Sequence, residues 1–233
     1  MLELKDVDTA YGPVPMLRGL SIKVQSGELV CLLGPNGAGK TTTFMTVCGV
    51  VRALRGKVDV MGCDMASLGT ENLAALGVGL VPEGRRLFPS LTVQENLRLG
   101  YDAVSGRGPN FQPQLDKMCD LFPRIRERLR QAAGTLSGGE QAMVALARAL
   151  IGEPKLVIMD EPSLGLSPKL IDEYFEITSE VHRRGTTILL IEQNAEMGLG
   201  IADRGYVLVK GRVAQEGPAR ELLSSKAAKS LYL

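Results

Sequence analysis

The sequence predicts an α/β fold with a core of parallel strands, an antiparallel β edge and an inserted helical subdomain at about residues 84–150. Three observations carry that reading. An apolar run, Leu29-Val30-Cys31-Leu32-Leu33, leads into a glycine-rich loop and then a helix-compatible segment from Lys40. Strand, helix and strand patterns return between residues 155 and 191. Between these two regions, from Pro82 to about Leu150, the pattern is mostly helical.

Taken in order, Leu2-Glu3-Leu4-Lys5 and Leu20-Ser21-Ile22-Lys23-Val24 alternate as half-exposed strands do, with a turn at Tyr11-Gly12-Pro13 between them. Residues 28–33 make a buried strand, 40–50 a helix and 56–61 another strand. Residues 71–76 are expected to be helical, and 77–82 to form a core strand ending at Pro82. Thr92 caps a helix with Glu95 at its third position. Residues 114–122 and 124–129 continue the helical region, and 105–110 read as a flexible loop. Strand 155–160, helix 168–183 and strand 186–191 follow. Residues 205–210 and 212–215 form a hairpin about Gly211, and 218–223 a last helix. There is no internal repeat, and the 233 residues suit a single domain with a substantial core.

Composition narrows the function classes. Apolar residues make up 45% and charged residues 23%, ordinary for a globular chain. A net charge of +1 gives no electrostatic case for nucleic acid as a partner. No apolar run approaches the ~20 residues needed for direct bilayer insertion, and the N-terminus reads as a first strand. Cys31, Cys48, Cys63 and Cys119 are widely spaced, which predicts free thiols in a reducing cytosol. His182, beside Arg183 and Arg184, is expected to be a solvated surface residue.

Three motifs carry the chemistry. Gly34-Pro35-Asn36-Gly37-Ala38-Gly39-Lys40-Thr41, followed by Thr42, fits G-x-x-x-x-G-K-[ST] at every specified position, with a strand before it and a helix after it. Such a loop turns successive N–H groups onto phosphate oxygens at a helix N-terminus. Lys40 reaches the β/γ-phosphates and the Thr41 hydroxyl can ligate Mg²⁺, so the motif predicts a bound nucleoside triphosphate. In the second motif, Leu136-Ser137-Gly138-Gly139-Glu140, Ser137 and Glu140 have capping-box spacing, and the bare amides at Gly138 and Gly139 make a second anion site. In the third, Leu156-Val157-Ile158-Met159-Asp160-Glu161 is an apolar strand ending in two acids, at the strand end where parallel α/β sheets bind ligands.

Together these motifs resemble the ATP-binding cassette (ABC) ATPases, and the resemblance runs from about Leu2 to Leu223, essentially the whole chain. It implies a P-loop NTPase core, ATP and Mg²⁺ as ligands, and hydrolysis with Asp160 on the metal, Glu161 as general base and Lys40 on the phosphates. It gives Tyr11 a stacking role on adenine and places Ser137, Gly138 and Gly139 on the ATP of a second ATPase subunit, identical or related. Three loops depart from the common pattern. Glu83 stands where glutamine is usual, and could offer Mg²⁺ a charged oxygen. Gln193 stands where histidine is usual at the γ-phosphate switch. Ser163-Leu164-Gly165-Leu166-Ser167 lacks its usual aspartate. The alternative for Glu83 and Gln193 is that both merely fill their loops.

Val81-Pro82-Glu83-Gly84-Arg85-Arg86 with Glu192-Gln193-Asn194-Ala195 resembles the ATPase subunits of branched-chain amino acid importers. That implies a motor on the cytoplasmic face of the inner (plasma) membrane, working with separate integral membrane permease subunits. The alternatives are an importer of another small solute such as urea or an amide, a soluble ABC ATPase acting on ribosomes or DNA, and a small-molecule P-loop kinase. The soluble type usually carries tandem cassettes or a coiled-coil insert, absent here, and a kinase needs no second phosphate site in trans.

Overall fold

A computed structural model describes residues 1–104 and 110–224. Along the chain run β1 (Leu2–Tyr11), β2 (Val14–Val24), β3 (Leu29–Leu33), α1 (Lys40–Val47), β4 (Arg55–Val60), β5 (Cys63–Asp64), α2 (Met65–Leu68) and β6 (Val78–Val81). Then come α3 (Val93–Asp102), α4 (Phe111–Leu121), α5 (Pro123–Arg128) and α6 (Gly138–Leu150). The chain continues with β7 (Leu156–Asp160), α7 (Pro168–Arg183), β8 (Thr187–Glu192), α8 (Ala195–Ile201), β9 (Arg204–Val209), β10 (Arg212–Pro218) and α9 (Ala219–Ser224).

Two sheets result. One is antiparallel with strand order β2-β1-β4-β5; the other has the order β10-β9-β3-β8-β7-β6, parallel from β9 to β6 with β10 antiparallel on its edge. Burial follows from this. Every residue of β3, β7 and β8 is buried, as a parallel strand covered on both faces requires, whereas β1 alternates along its first turns of the pleat. One core lies between the sheets, where Leu2, Leu4 and Ile22 meet Val30, Leu32, Ile158 and Leu189, with Phe44 and Val47 of α1. A second joins the opposite face of the parallel sheet to α3–α7, through Leu97, Leu146, Val157, Tyr174 and Leu190, and a smaller third packs α8 and α9 on Cys31, Leu33 and Val207.

Parallel register sets the strand ends side by side. Leu33 pairs with Glu192, Asp160 with Ile191 and Val81 with Met159. The loops after β3, β6, β7 and β8 therefore leave from one edge, which is where ligands bind in such sheets.

Several expectations need correction. Residues 71–76 form no α-helix; only a short 3₁₀ turn spans Thr70–Asn72. Gly69 and Gly77, with φ of 80° and 88°, bracket too few residues for a stable helix, and Leu73 alone is buried. β5, α2 and α8 were not anticipated from the sequence. His182 is not solvated: its side chain is 16% exposed, its Nε2 lies 3.2 Å from Asp203 and its Nδ1 3.3 Å from the Thr186 carbonyl. The four cysteines are free, as expected, with Cys31, Cys48 and Cys119 buried. Of the expected loop at 105–110, residues 105–109 lie outside the described residues, and Asn110 precedes α4. Among the described residues no helix is long and apolar enough to cross a membrane.

Candidate active site

The loop between β3 and α1 is shaped by close approach. A Cβ on Gly34 would stand 2.6 Å from the Leu208 carbonyl oxygen, and Gly39 caps α1 at φ 107°, in the left-handed region that favours glycine. Lys40 is 4% exposed. Its ammonium donates to the carbonyls of Gly34 (2.8 Å) and Pro35 (3.1 Å) and pairs with Glu161 Oε1 at 3.0 Å. Ala38 turns inward instead: its side chain joins the inter-sheet core and its N–H donates to Pro35.

A cleft of about 180 Å³ is walled by Met16, Asn36, Gly37, Gly39, Lys40, Thr41, Thr42, Glu83 and Glu161. It gathers the phosphate loop with two acids from the ends of β6 and β7. Tyr11 stands outside it, 51% exposed and paired with Val14 at the tip of the β1–β2 hairpin. Met16, from β2, is a wall residue that sequence reasoning missed; a single methionine in a strand carries no local signal.

Asp160 closes β7, 1% exposed, with both carboxylate oxygens buried and without hydrogen-bond partners. Burial, aided by Glu161 and Glu83, pushes its carboxyl up to about 7, against the pull of the Thr41 hydroxyl and Lys40. An orphaned, buried carboxylate beside a hydroxyl suits a hard divalent cation, so the residues present fit Mg²⁺.

The same burial gives a testable consequence. A carboxyl that ionises near 3.8 when unfolded and near 7 when folded makes the fold lose stability as pH rises between those values, after which the penalty is constant. Asp160→Asn is therefore expected to melt higher than the parent at pH 8 in metal-free buffer, by the order of 5 °C, the gap closing toward pH 4. Equal melting temperatures at pH 8 would show that the buried carboxylate carries no such penalty.

Ser137 and its two glycines lie elsewhere. Ser137 Oγ accepts from Glu140 N–H (3.3 Å) while Glu140 Oε2 accepts from Ser137 N–H (2.9 Å), a complete capping box at the start of α6. A Cβ on Gly139 would fall 2.2 Å from Leu170 Cδ1, and one on Gly138 2.9 Å from an Arg85 guanidinium nitrogen. None of these three residues lines the phosphate-loop cleft. The capped start of α6 thus lies outside the cleft formed by the phosphate loop.

Residues 17–164 match the family model described as ABC transporter. The chain belongs to the ABC transporter family. It is 44% identical, over all of its own length and 99% of the relative's, to the high-affinity branched-chain amino acid transport ATP-binding protein BraG of Pseudomonas aeruginosa. It is 34% identical to the lipopolysaccharide export system ATP-binding protein LptB of Haemophilus influenzae, over all of this chain and 97% of that one. A solved nucleotide-free ATP-binding cassette from an ABC transporter superposes with a TM-score of 0.87 at 26% identity, covering all of this chain and 98% of that one. The protein is accordingly an ABC ATPase, with the nucleotide-binding cassette of its family.

In this cassette the loop after β6 is tied to the helices. Gly84, Arg85 and Arg86 all have positive φ, and Arg148 of α6 donates to the carbonyls of Arg86 (2.8 Å) and Arg85 (3.2 Å). Glu83 thus sits in the cleft on a loop fastened to α6, the helix capped by Ser137. Gln193 follows β8 with its side chain exposed, outside the cleft walls. The residue before it has no role in the sequence reading beyond its place in the 192–195 motif. Glu192 is buried, its carboxylate accepting from the N–H groups of Ser163 and Gln193, and burial raises its carboxyl. Its sequence signal was an acid closing the otherwise apolar run of β8.

Proposed function

We propose that this ABC ATPase is the motor of an importer for branched-chain or similar apolar amino acids. The observation that carries the mechanism is the separation of the two anion sites in one chain. It supports two subunits, identical or related, closing head-to-tail, each ATP lying between Gly34–Thr42 of one and Ser137–Gly139 of the other.

Within that arrangement Lys40 leaves its carbonyl partners for the β/γ-phosphates. Thr41 and Asp160, with Glu83 beside them, would hold Mg²⁺, which supplies charge neutralisation to the phosphates. Glu161 takes a proton from water as the water oxygen bonds to the γ-phosphorus and the bond to the β–γ bridging oxygen breaks. Gln193 can donate its amide to a γ-phosphate oxygen without titrating, and Tyr11, exposed at the hairpin tip, would stack on the adenine.

The permease subunits would dock in the groove between the edge strand β6 and the helices. Its walls include Leu73, Arg86, Phe88, Leu99, Val104 and Arg148, with Phe88 and Leu99 exposed. Arg148 and Arg86 belong to the linkage that carries Glu83, so occupation of the cleft and movement of the groove are mechanically joined. The helical subdomain at about 84–150 would move as the lever, on the cytoplasmic face of the inner membrane. The solute follows from the relationship: BraG, a branched-chain amino acid transport protein, is 44% identical, against 34% for a lipopolysaccharide exporter's ATPase. Deleting the gene is expected to abolish uptake of labelled leucine, isoleucine and valine in cells without a redundant importer. Unimpaired uptake of all three would remove the amino-acid assignment.

A further inference from the structure

Glu161 has a backbone geometry unusual for a residue with a side chain: its φ is 45°. Such a conformation persists only where the surroundings over-determine it. The turn is fastened to β8 at two points. Glu161 N–H donates to the Ile191 carbonyl at 2.9 Å, and two residues on, Ser163 N–H donates to Glu192 Oε1 at 3.2 Å. The second oxygen of the same carboxylate, Oε2, accepts from Gln193 N–H at 3.1 Å. Glu192 is 2% exposed, so water does not compete for either bond.

We propose that Glu192 is a positioning residue for hydrolysis, holding the Glu161 turn in its strained form and setting its spacing from Gln193. The inference rests on the reading of Glu161 as general base. A carboxylate suits the task because the two N–H groups need acceptors on different oxygens. A glutamine offers one acceptor oxygen and turns its NH₂ toward the other N–H, so one fastening is lost. A buried acid that merely closed the core would stabilise the fold without regard to Glu161, and the two roles separate kinetically.

The full-length chain carrying Glu192→Gln is compared with the parent in steady-state ATPase assays and in titration with a fluorescent ATP analogue. The expected result is a kcat lowered roughly ten-fold or more, with KM and nucleotide affinity within about two-fold. In a Glu161→Gln background the same substitution should leave the residual rate unchanged, because no base remains to be placed. A kcat within about two-fold of the parent, or an equal loss recurring in the Glu161→Gln background, overturns the proposal. Should Glu192→Gln not fold, the same cycle with Glu192→Asp, which keeps the charge but withdraws it by one methylene, is judged by the same thresholds. Parental turnover in Glu161→Gln alone would overturn the general-base reading and this proposal with it. A normal Glu161→Gln defect with no Glu192 effect overturns this proposal alone.

Discussion

Glu161→Gln is expected to lower ATP hydrolysis by roughly 10²–10⁴-fold while leaving MgATP binding in place. Glutamine matches the size and hydrogen bonding of the side chain but cannot take a proton from water. The structure adds a reason for binding to survive. Lys40 is held by the Gly34 and Pro35 carbonyls as well as by Glu161, so removing the Glu161 charge leaves the ammonium in place and more available to phosphate. An ATP-bound dimer that cannot complete hydrolysis should then accumulate, visible by size-exclusion chromatography with MgATP. Turnover within a few-fold of the parent would take Glu161 out of the catalytic role.

Gly138→Asp should separate nucleotide binding from dimerisation. The new Cβ would meet the far end of Arg85, a flexible side chain that can move aside, and a carboxylate at the start of α6 complements the helix dipole. The monomer is therefore expected to fold and to bind nucleotide with an affinity within a few-fold of the parent. Across the proposed dimer, however, the carboxylate would occupy the site assigned to the partner's γ-phosphate, and like charges exclude each other there. ATP-driven dimerisation should fail, and hydrolysis should drop by about 10²-fold or more. Gly139 is the wrong place for this test, since a Cβ there collides with Leu170 and would disturb packing. Light scattering in the Glu161→Gln background, paired with titration of the monomer, makes the measurement. Lost monomer binding would instead place the Ser137–Gly139 turn beside its own phosphate loop, contrary to the two-subunit site.

Local chemistry written in consecutive residues was legible without coordinates. The strands of the parallel sheet announced themselves as apolar runs because burial on both faces demands it. Thr92–Glu95 and Ser137–Glu140 marked their helix starts because a cap is satisfied within four residues, and both boxes close as expected. Helix 168–183 was read to the residue, opened by Pro168 at its first position. Where the local signal was split, the reading failed: α8, opened by Asn194, followed a strand without a break, and residues 71–76 resembled a helix that flanking glycines do not allow.

Consecutive residues therefore carried the fold class, through the order of their strand and helix patterns, and marked the phosphate-loop motif with Lys40 and Thr41, the paired acids at 160–161 and the capped turn at 137–140, whose parts meet through their own backbone. Only the tertiary structure decided how those parts share a surface. It set Met16 and Glu83 in the wall of the Lys40 cleft, bound the Glu83 loop to α6 through Arg148, and left Ser137–Gly139 outside. It turned His182 from a surface residue into a partner of Asp203. It also joined Ser163 to Glu192, 29 positions apart, across the register of β7 and β8. Such contacts arise when strands far apart in sequence are paired by burying their apolar faces. The polar residues at the strand ends are then carried into contact by register, which no local pattern encodes.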